Sequence, residues 1–291
     1  MTPSKKGAGQ SLLTEARLAF HRALLASVLT EREGVPSNAD RSNGPSVAIA
    51  KSVMAKLGSS RESIKAAGQT SGIVFEQLCR DFLGATFLRL GHLRPGCWEI
   101  LHGEGKSMAI EGYEQFAHLG DLEKLADAHP ELRAFLGNDY TIKPDILIIR
   151  HPEDDDAINQ HDAVVDGTTA LRASLRKQNM GLPLLHASIS CKWTMRSDRA
   201  QNARTEALNL IRNRKGRLPH IVVVTAEPTP SRLASIALGT GDIDCVYHFA
   251  LHELECAVAE SVSNESKDLL QTMIEGKRLR DISDLPLDLA T

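Results

Sequence analysis

No apolar run in this 291-residue chain approaches membrane-spanning length. The densest is IVVVTA at 221–226, far short of the roughly 20 residues a spanning helix needs. The opening MTPSKKGAGQ carries two lysines but no apolar stretch of signal-peptide type behind it. The five cysteines, Cys79, Cys97, Cys191, Cys245 and Cys256, form no Cys-x-x-Cys pair. That argues against a zinc ribbon and more strongly against a disulfide framework. A soluble protein of a reducing, cytoplasmic compartment is expected, with no membrane partner. A basic excess is also missing. The formal net charge is −3, so any nucleic-acid function must rest on local clustering of charge. There is no internal repeat, no low-complexity tract and no clear domain boundary. What is present is ordinary globular composition, long enough to bury a sizeable core.

The first half reads as mainly helical. Residues 11–29 place Leu12, Leu13, Ala16, Phe20 and Leu24 on roughly one face. GVPSNADRSNGPS (34–46) reads as a long loop, and loops of that size are usually functional or disordered. Residues 47–57, 69–90 and 120–137 read as helices. In 69–90, Phe75, Leu78, Phe82 and Leu83 recur at steps of three and four. DYTIKPDILIIR (139–150) reads as a strand entered through a proline, and HPEDDDAINQHD (151–162) as an acidic surface connection. A short helix is expected around 168–177.

The second half alternates. Strands are expected at 184–193, 219–226 and 243–251, and helices at about 199–214, 231–238 and 252–275. Apolar strands joined through helices argue for a parallel pair buried on both faces. The fold class is therefore α/β, a central sheet flanked by helices.

Asp145 opens one apolar strand and Lys192 ends another. A lysine at the end of a buried strand is costly without a partner, and an aspartate on a neighbouring strand would be one. Ser190, two before Lys192, shares its side of the strand. Glu206 lies on the following helix, which can aim one side chain back at the strand's end. Two carboxylates and a lysine are what Mg²⁺-dependent phosphodiester cleavage needs. Oxygen ligands hold the ion while it keeps several waters. The ion acidifies a water and stabilises charge on the phosphate, and the lysine offsets developing negative charge. An Asp-plus-Lys spacing by itself is more often a plain structural ion pair.

The surrounding charge shifts that balance. From Lys192 to Arg217 there are eight basic residues against two acidic ones, in a chain whose total is negative. Such clusters bind phosphate backbones. Arg196-Ser197-Asp198-Arg199 puts two bidentate donors and an acceptor at a helix start, a set suited to G·C pairs. The plain alternative is that Ser197 or Asp198 caps the helix and the arginines are a solvated face.

SISCKWTMRSDRAQNARTEALNLIRNRKGRLPHIVVVTAEPTPSR (188–232) resembles the NgoMIV-like type II restriction endonucleases, in the CCGG-core branch of the PD-(D/E)XK superfamily. GVPSNADRSN, GQTSGIVFE, DYTIKPDI and KRLRDISDLPLDLA carry the likeness over nearly the whole chain. Residues 151–180 and 257–275 resemble the family least. The resemblance implies a restriction-endonuclease-like core with a central mixed β-sheet. It also implies a single endonuclease domain over 1–291, with a helical part at about 11–137 and an α/β catalytic core at about 139–275.

The resemblance further implies roles for particular residues. Asp145 matches the metal-binding aspartate and Lys192 the catalytic lysine. Ser190 stands where the wider superfamily has an acid, and Glu206 supplies that acid from the helix. Glu76 matches a further active-site acid, and Cys191 lends its backbone carbonyl to the metal. Arg196, Asp198 and Arg199 match major-groove readers of CCGG. Asp40 and Arg232 match contacts to the outer G·C pair, and Gln69 a minor-groove contact. The implied cofactor is Mg²⁺, two ions per site. The implied partner is double-stranded DNA at 5′-GCCGGC, cut after the first G to leave a 5′-CCGG overhang. The implied assembly is a homotetramer, a dimer at minimum. The alternatives are a PD-(D/E)XK nuclease of repair or recombination, and a sequence-specific DNA-binding module that does not cut.

Four other features read as structural. His248 and His252 have metal-like spacing without the glutamate of a zinc protease. Gly239-Thr240-Gly241 reads as a turn. Cys79 and Cys191 lack a poised histidine, because His186 points to the opposite face from Cys191. Trp193 reads as a packing residue.

Overall fold

The structure is a computed structural model that describes residues 9–58, 68–103, 108–129, 131, 144–195, 197–239, 241–261 and 263–291. Its centre is a six-stranded mixed sheet: β3 (Cys97–His102), β4 (Ile146–His151), β5 (Leu184–Lys192), β6 (His220–Thr225), β7 (Cys245–His248) and β8 (Leu279–Asp281), in that spatial order. β3, β4 and β5 pair antiparallel, whereas β5 to β8 run parallel. A two-stranded hairpin, β1 (Glu31–Arg32) and β2 (Val35–Pro36), stands apart.

The mixed pairing follows from the connections. Parallel neighbours need a crossover, and α6 (Ser197–Asn213) supplies it between β5 and β6, as α7 (Pro230–Ala237) does between β6 and β7. Two helices, α8 (Leu251–Ser261) and α9 (Asn264–Glu275), link β7 to β8. β6, in the middle of the parallel strands, is apolar along most of its length because both of its faces are covered. In β6, Ile221 to Thr225 are all buried.

The amino-terminal half forms α1 (Leu12–Ser27), α2 (Gly44–Leu57), α3 (Gly68–Thr86) and α4 (Ala117–Ala128). Ser11 caps α1 by accepting from Thr14 N, and Asn43 caps α2 by accepting from Ser46 N with Pro45 in the first turn. α3 packs on α1, β3 and β5. Phe75 is fully buried there with its ring edge-on to Trp193, centroids 5.1 Å apart, which confirms Trp193 as a packing residue. One hydrophobic core runs from Phe20 to Leu289 and takes residues from both halves. No helix among the described residues is long and apolar enough to cross a membrane.

Four expectations need correction. The segment 168–177 is not a helix. Ala170 sits at φ +50°, outside the helical region. The Asp166 carboxylate accepts both the Thr168 and Thr169 backbone N–H groups in a tight turn. The 34–46 segment is shorter and more ordered than a free loop. Glu33 and Gly34 take positive φ at the hairpin turn, and α2 begins at Gly44. The strand expected at 243–251 ends at His248, because Asp281 Oδ2 accepts the Leu251 N–H at 2.9 Å and starts α8 there. Lastly, 151–162 is not only a connection, since it holds the short helix α5 (Asp155–Ile158). The strand residues expected at 139–143 and the helix residues expected at 132–137 lie outside the described residues.

Candidate active site and recognition face

β4 and β5 run antiparallel, so the start of one lies beside the end of the other. That pairing brings Asp145 to Lys192. Asp145 Oδ2 accepts from Lys192 Nζ at 2.9 Å, from the Cys191 backbone N–H at 2.7 Å and from Ser190 Oγ at 3.5 Å. Among the described residues no hydrogen bond reaches Oδ1. Burial works against the charge on Lys192, but the adjacent Asp145 carboxylate and the charge of Glu206 outweigh it, and the lysine pKa is raised. The amine is therefore a fixed cation, and Glu206 is close enough to act on it from α6.

Glu76 comes to the same place from α3. Burial raises its pKa first, and the Asp145 charge raises it further, against the opposing pull of His102 and Lys192. Two carboxylates that repel one another in a partly dry site form a place where a divalent cation is favoured. No three His, Cys, Asp or Glu side chains among the described residues are grouped as a complete ion cage. Mg²⁺ does not need one, because it keeps several waters and takes one or two carboxylates. The open Oδ1 of Asp145, together with Glu76, fits that requirement.

The sequence reading missed His102. Its Nε2 lies 3.3 Å from Glu76 Oε2, with the side chain only 3% exposed. When Glu76 is ionised it can only accept, and Nε2 is then the donor. Cys191, by contrast, is not a nucleophile. Burial and a hydrogen bond with Cys79 push its thiol pKa well up.

Asp40 and Arg232 are the candidate contacts to an outer base pair. Asp40 and Arg232 meet as an ion pair, although they lie far apart in sequence. Two Ser42 hydrogen bonds and the Arg232 contact hold the Asp40 carboxyl down at about 2. A groove of about 740 Å³ is lined by Asp40, Met195, Gln201, Arg204 and Arg232 among others. Arg204 is engaged within the protein. It bonds Asp242 at 3.2 Å and the Ser235 carbonyl at 2.9 Å. Arg196 lies outside the described residues. Asp198, Arg199 and Gln69 are described as helix backbone only.

Glu227, Asn38 and Thr225 also escaped the sequence reading. Asn38 Nδ2 donates to the Ala226 carbonyl at 2.8 Å, tying the Asp40 segment to the end of β6. Thr225 Oγ1 donates to the Lys192 carbonyl at 2.8 Å. His248 is fully buried, and its Nδ1 accepts from Ala250 N, so the structural reading of that histidine stands.

Residues 20–291 match the family model described as NgoMIV restriction enzyme. The chain is 55% identical over 282 residues to the type II restriction enzyme NgoMIV of Neisseria gonorrhoeae, covering 96% of this chain and 99% of that protein. Among solved structures, a PspGI restriction endonuclease–substrate DNA complex aligns over 96% of this chain and 90% of that one, at 15% identity and a TM-score of 0.31. That last likeness is too slight to bear on the fold. The two sequence matches place the chain in the NgoMIV restriction enzyme family.

Proposed function

We propose that this member of the NgoMIV restriction enzyme family is a Mg²⁺-dependent endonuclease that hydrolyses both strands of 5′-GCCGGC. It cuts after the first G, leaving a 5′-CCGG overhang and 5′-phosphates. The observation that carries the reading is the convergence of Asp145 and Lys192 at 2.9 Å with Glu76 within charge range. Asp145, Glu76 and Glu206, with the Cys191 carbonyl, would hold the metal. When bound, Mg²⁺ supplies positive charge to the scissile phosphate and acidifies a water. Lys192, kept protonated by Asp145, offsets negative charge developing on the phosphate. Ser190 steadies Asp145, and Glu206 provides the acid that Ser190 does not.

Arg196, Asp198 and Arg199 would read the CCGG core through the major groove, Asp40 and Arg232 the outer pair, and Gln69 the minor groove. The Asp40–Arg232 ion pair supports their joint role, since it fixes the guanidinium's direction before DNA arrives. The whole chain acts as one endonuclease domain in the cytoplasm, as a homotetramer with two ions per site. A palindromic target requires at least a two-fold dimer. Incubating a GCCGGC plasmid with Mg²⁺ or EDTA and mapping the ends by run-off sequencing tests the reading. Discrete Mg²⁺-dependent ends at 5′-CCGG are expected. Cutting independent of sequence would instead favour a repair-type nuclease of the superfamily, and a specific shift without cutting would favour a binding module.

A further inference from the structure

Two recognition segments leave the sheet on neighbouring strands. β5 runs out through Met195 into α6, which carries Asp198 and Arg199. β6 runs out through Glu227 into α7, which carries Arg232. Glu227 lies between them and is 1% exposed. A buried carboxylate needs strong compensation to persist. Here Oε2 accepts the Met195 N–H at 2.9 Å and Oε1 accepts the Thr229 N–H at 3.1 Å. Arg232 Nη1 stands 3.8 Å from Oε2. The Glu227 N–H donates to Thr225 Oγ1 at 3.2 Å, and that hydroxyl donates to the Lys192 carbonyl.

One carboxylate therefore grips three things: the backbone just before the core-reading segment, the start of α7, and the guanidinium assigned to the outer pair. A turn could be closed by a single backbone hydrogen bond. A carboxylate is needed where two N–H groups and a cation from different segments must share one anchor. Neither the Met195 N–H nor Arg232 belongs to the turn that Glu227 closes with Thr229.

We propose that Glu227 is a specificity-positioning residue. It fixes Arg232 relative to the start of α6, so that the outer G·C pair and the CCGG core are read as one six-base unit. This rests on the reading above that Arg232 contacts the outer pair. Glutamine at this position keeps the shape but turns an amide N–H toward a backbone N–H and loses the charge facing Arg232.

The test is competitive cleavage of duplexes carrying every outer pair around CCGG, alongside duplexes with one substituted core pair. Wild type and Glu227→Gln are compared in each set. The preference of the variant for an outer G·C pair should fall roughly tenfold, and by more than its core discrimination falls. In an Arg232→Ala background, adding Glu227→Gln should bring no further loss of outer preference. If Glu227→Gln does not fold, Glu227→Asp is measured in the same way, because its carboxylate is drawn back by one methylene and cannot hold Met195 and Arg232 together. Equal loss of outer and core discrimination, or no change in either, overturns the proposal and leaves Glu227 a structural carboxylate. A wild type with no outer preference overturns the six-base reading and the proposal with it. A wild-type preference that survives in the variants overturns the proposal alone.

Discussion

Replacing Lys192 with methionine separates chemistry from stability in one variant. Methionine keeps much of the aliphatic stem and removes the charge. The side chains of Lys192 and Asp145 are 18% and 17% exposed and bond at 2.9 Å. Removing one partner of a well-buried ion pair costs about 3–5 kcal/mol, because the other charge is left unpaired. Residual exposure puts this site at the low end, about 3 kcal/mol. For a chain of this size that is a fall of roughly 6 °C in Tm. The loss should be largest in EDTA. With the amine gone, Asp145 and Glu76 face one another without the Lys192 charge, and a divalent cation can take its place as counter-charge. Mg²⁺ at ten times its Kd would return about 1.4 kcal/mol. Thermal melts in EDTA and across a Mg²⁺ series, beside cleavage assays, measure both effects. Lys192→Met should not cut, should melt lower in EDTA, and should gain more Tm from Mg²⁺ than wild type. An unchanged melting temperature in EDTA would refute the charge-pair argument, even if cutting were lost.

Three further outcomes follow from other parts of the fold. Removing the His102 donor by His102→Ala leaves Glu76 unsupported, so half-saturating Mg²⁺ for cleavage should rise roughly tenfold; an unchanged Mg²⁺ titration would assign His102 to packing alone. Burial holds His186 and His248 neutral, with pKa values down to about 3 and about 4. The unfolded chain then takes up those protons first, so their contribution is complete above pH 6.5 and is lost as pH falls toward 4. At pH 5 the loss is about 2 kcal/mol for each at most, and urea melts at pH 8 and pH 5 that coincide would contradict it. Arg176, 1% exposed, bonds Asp155 at 2.9 Å and the Asp166 carbonyl at 3.1 Å. Arg176→Met should therefore cost about 3 kcal/mol in a denaturant melt, and no change would show that the 153–176 segment is held by other contacts.

The parts of the fold legible in the sequence are those where one physical signal dominates. β6 stands out because a strand buried on both faces is written as an unbroken apolar run, Ile221 to Val224. The site is legible through the cost of a buried lysine, which points to Asp145 before any coordinates are known. β3 escapes because CWEILH is an edge strand whose residues are only half-buried or exposed, so its apolar pattern is faint. With β3 goes His102, whose role depends on a strand pairing that local spacing cannot reveal. β8 has three residues, too few for periodicity to register. Glu227 is hidden for another reason. Between Ala226 and Pro228 it reads as a loop acid, and its burial exists only once two strands from separate stretches lie side by side. The 168–177 expectation fails because side-chain-to-backbone bonds at Asp166 compete with the helix, as Asp and Thr do in turns.

The most direct test of the proposed site is single-turnover cleavage of a GCCGGC duplex with Mg²⁺, comparing wild type with Asp145→Asn and Glu206→Gln. Binding of the same duplex in EDTA is measured in parallel. If Asp145, Glu206 and Lys192 form one metal-dependent centre beside a separate recognition face, both variants bind the duplex within a few-fold of wild type and cut it at least a hundredfold more slowly. Near-normal cutting by Glu206→Gln would mean that the α6 acid is not part of the centre. Loss of cutting in step with loss of binding would mean that these residues recognise DNA and do not catalyse its cleavage.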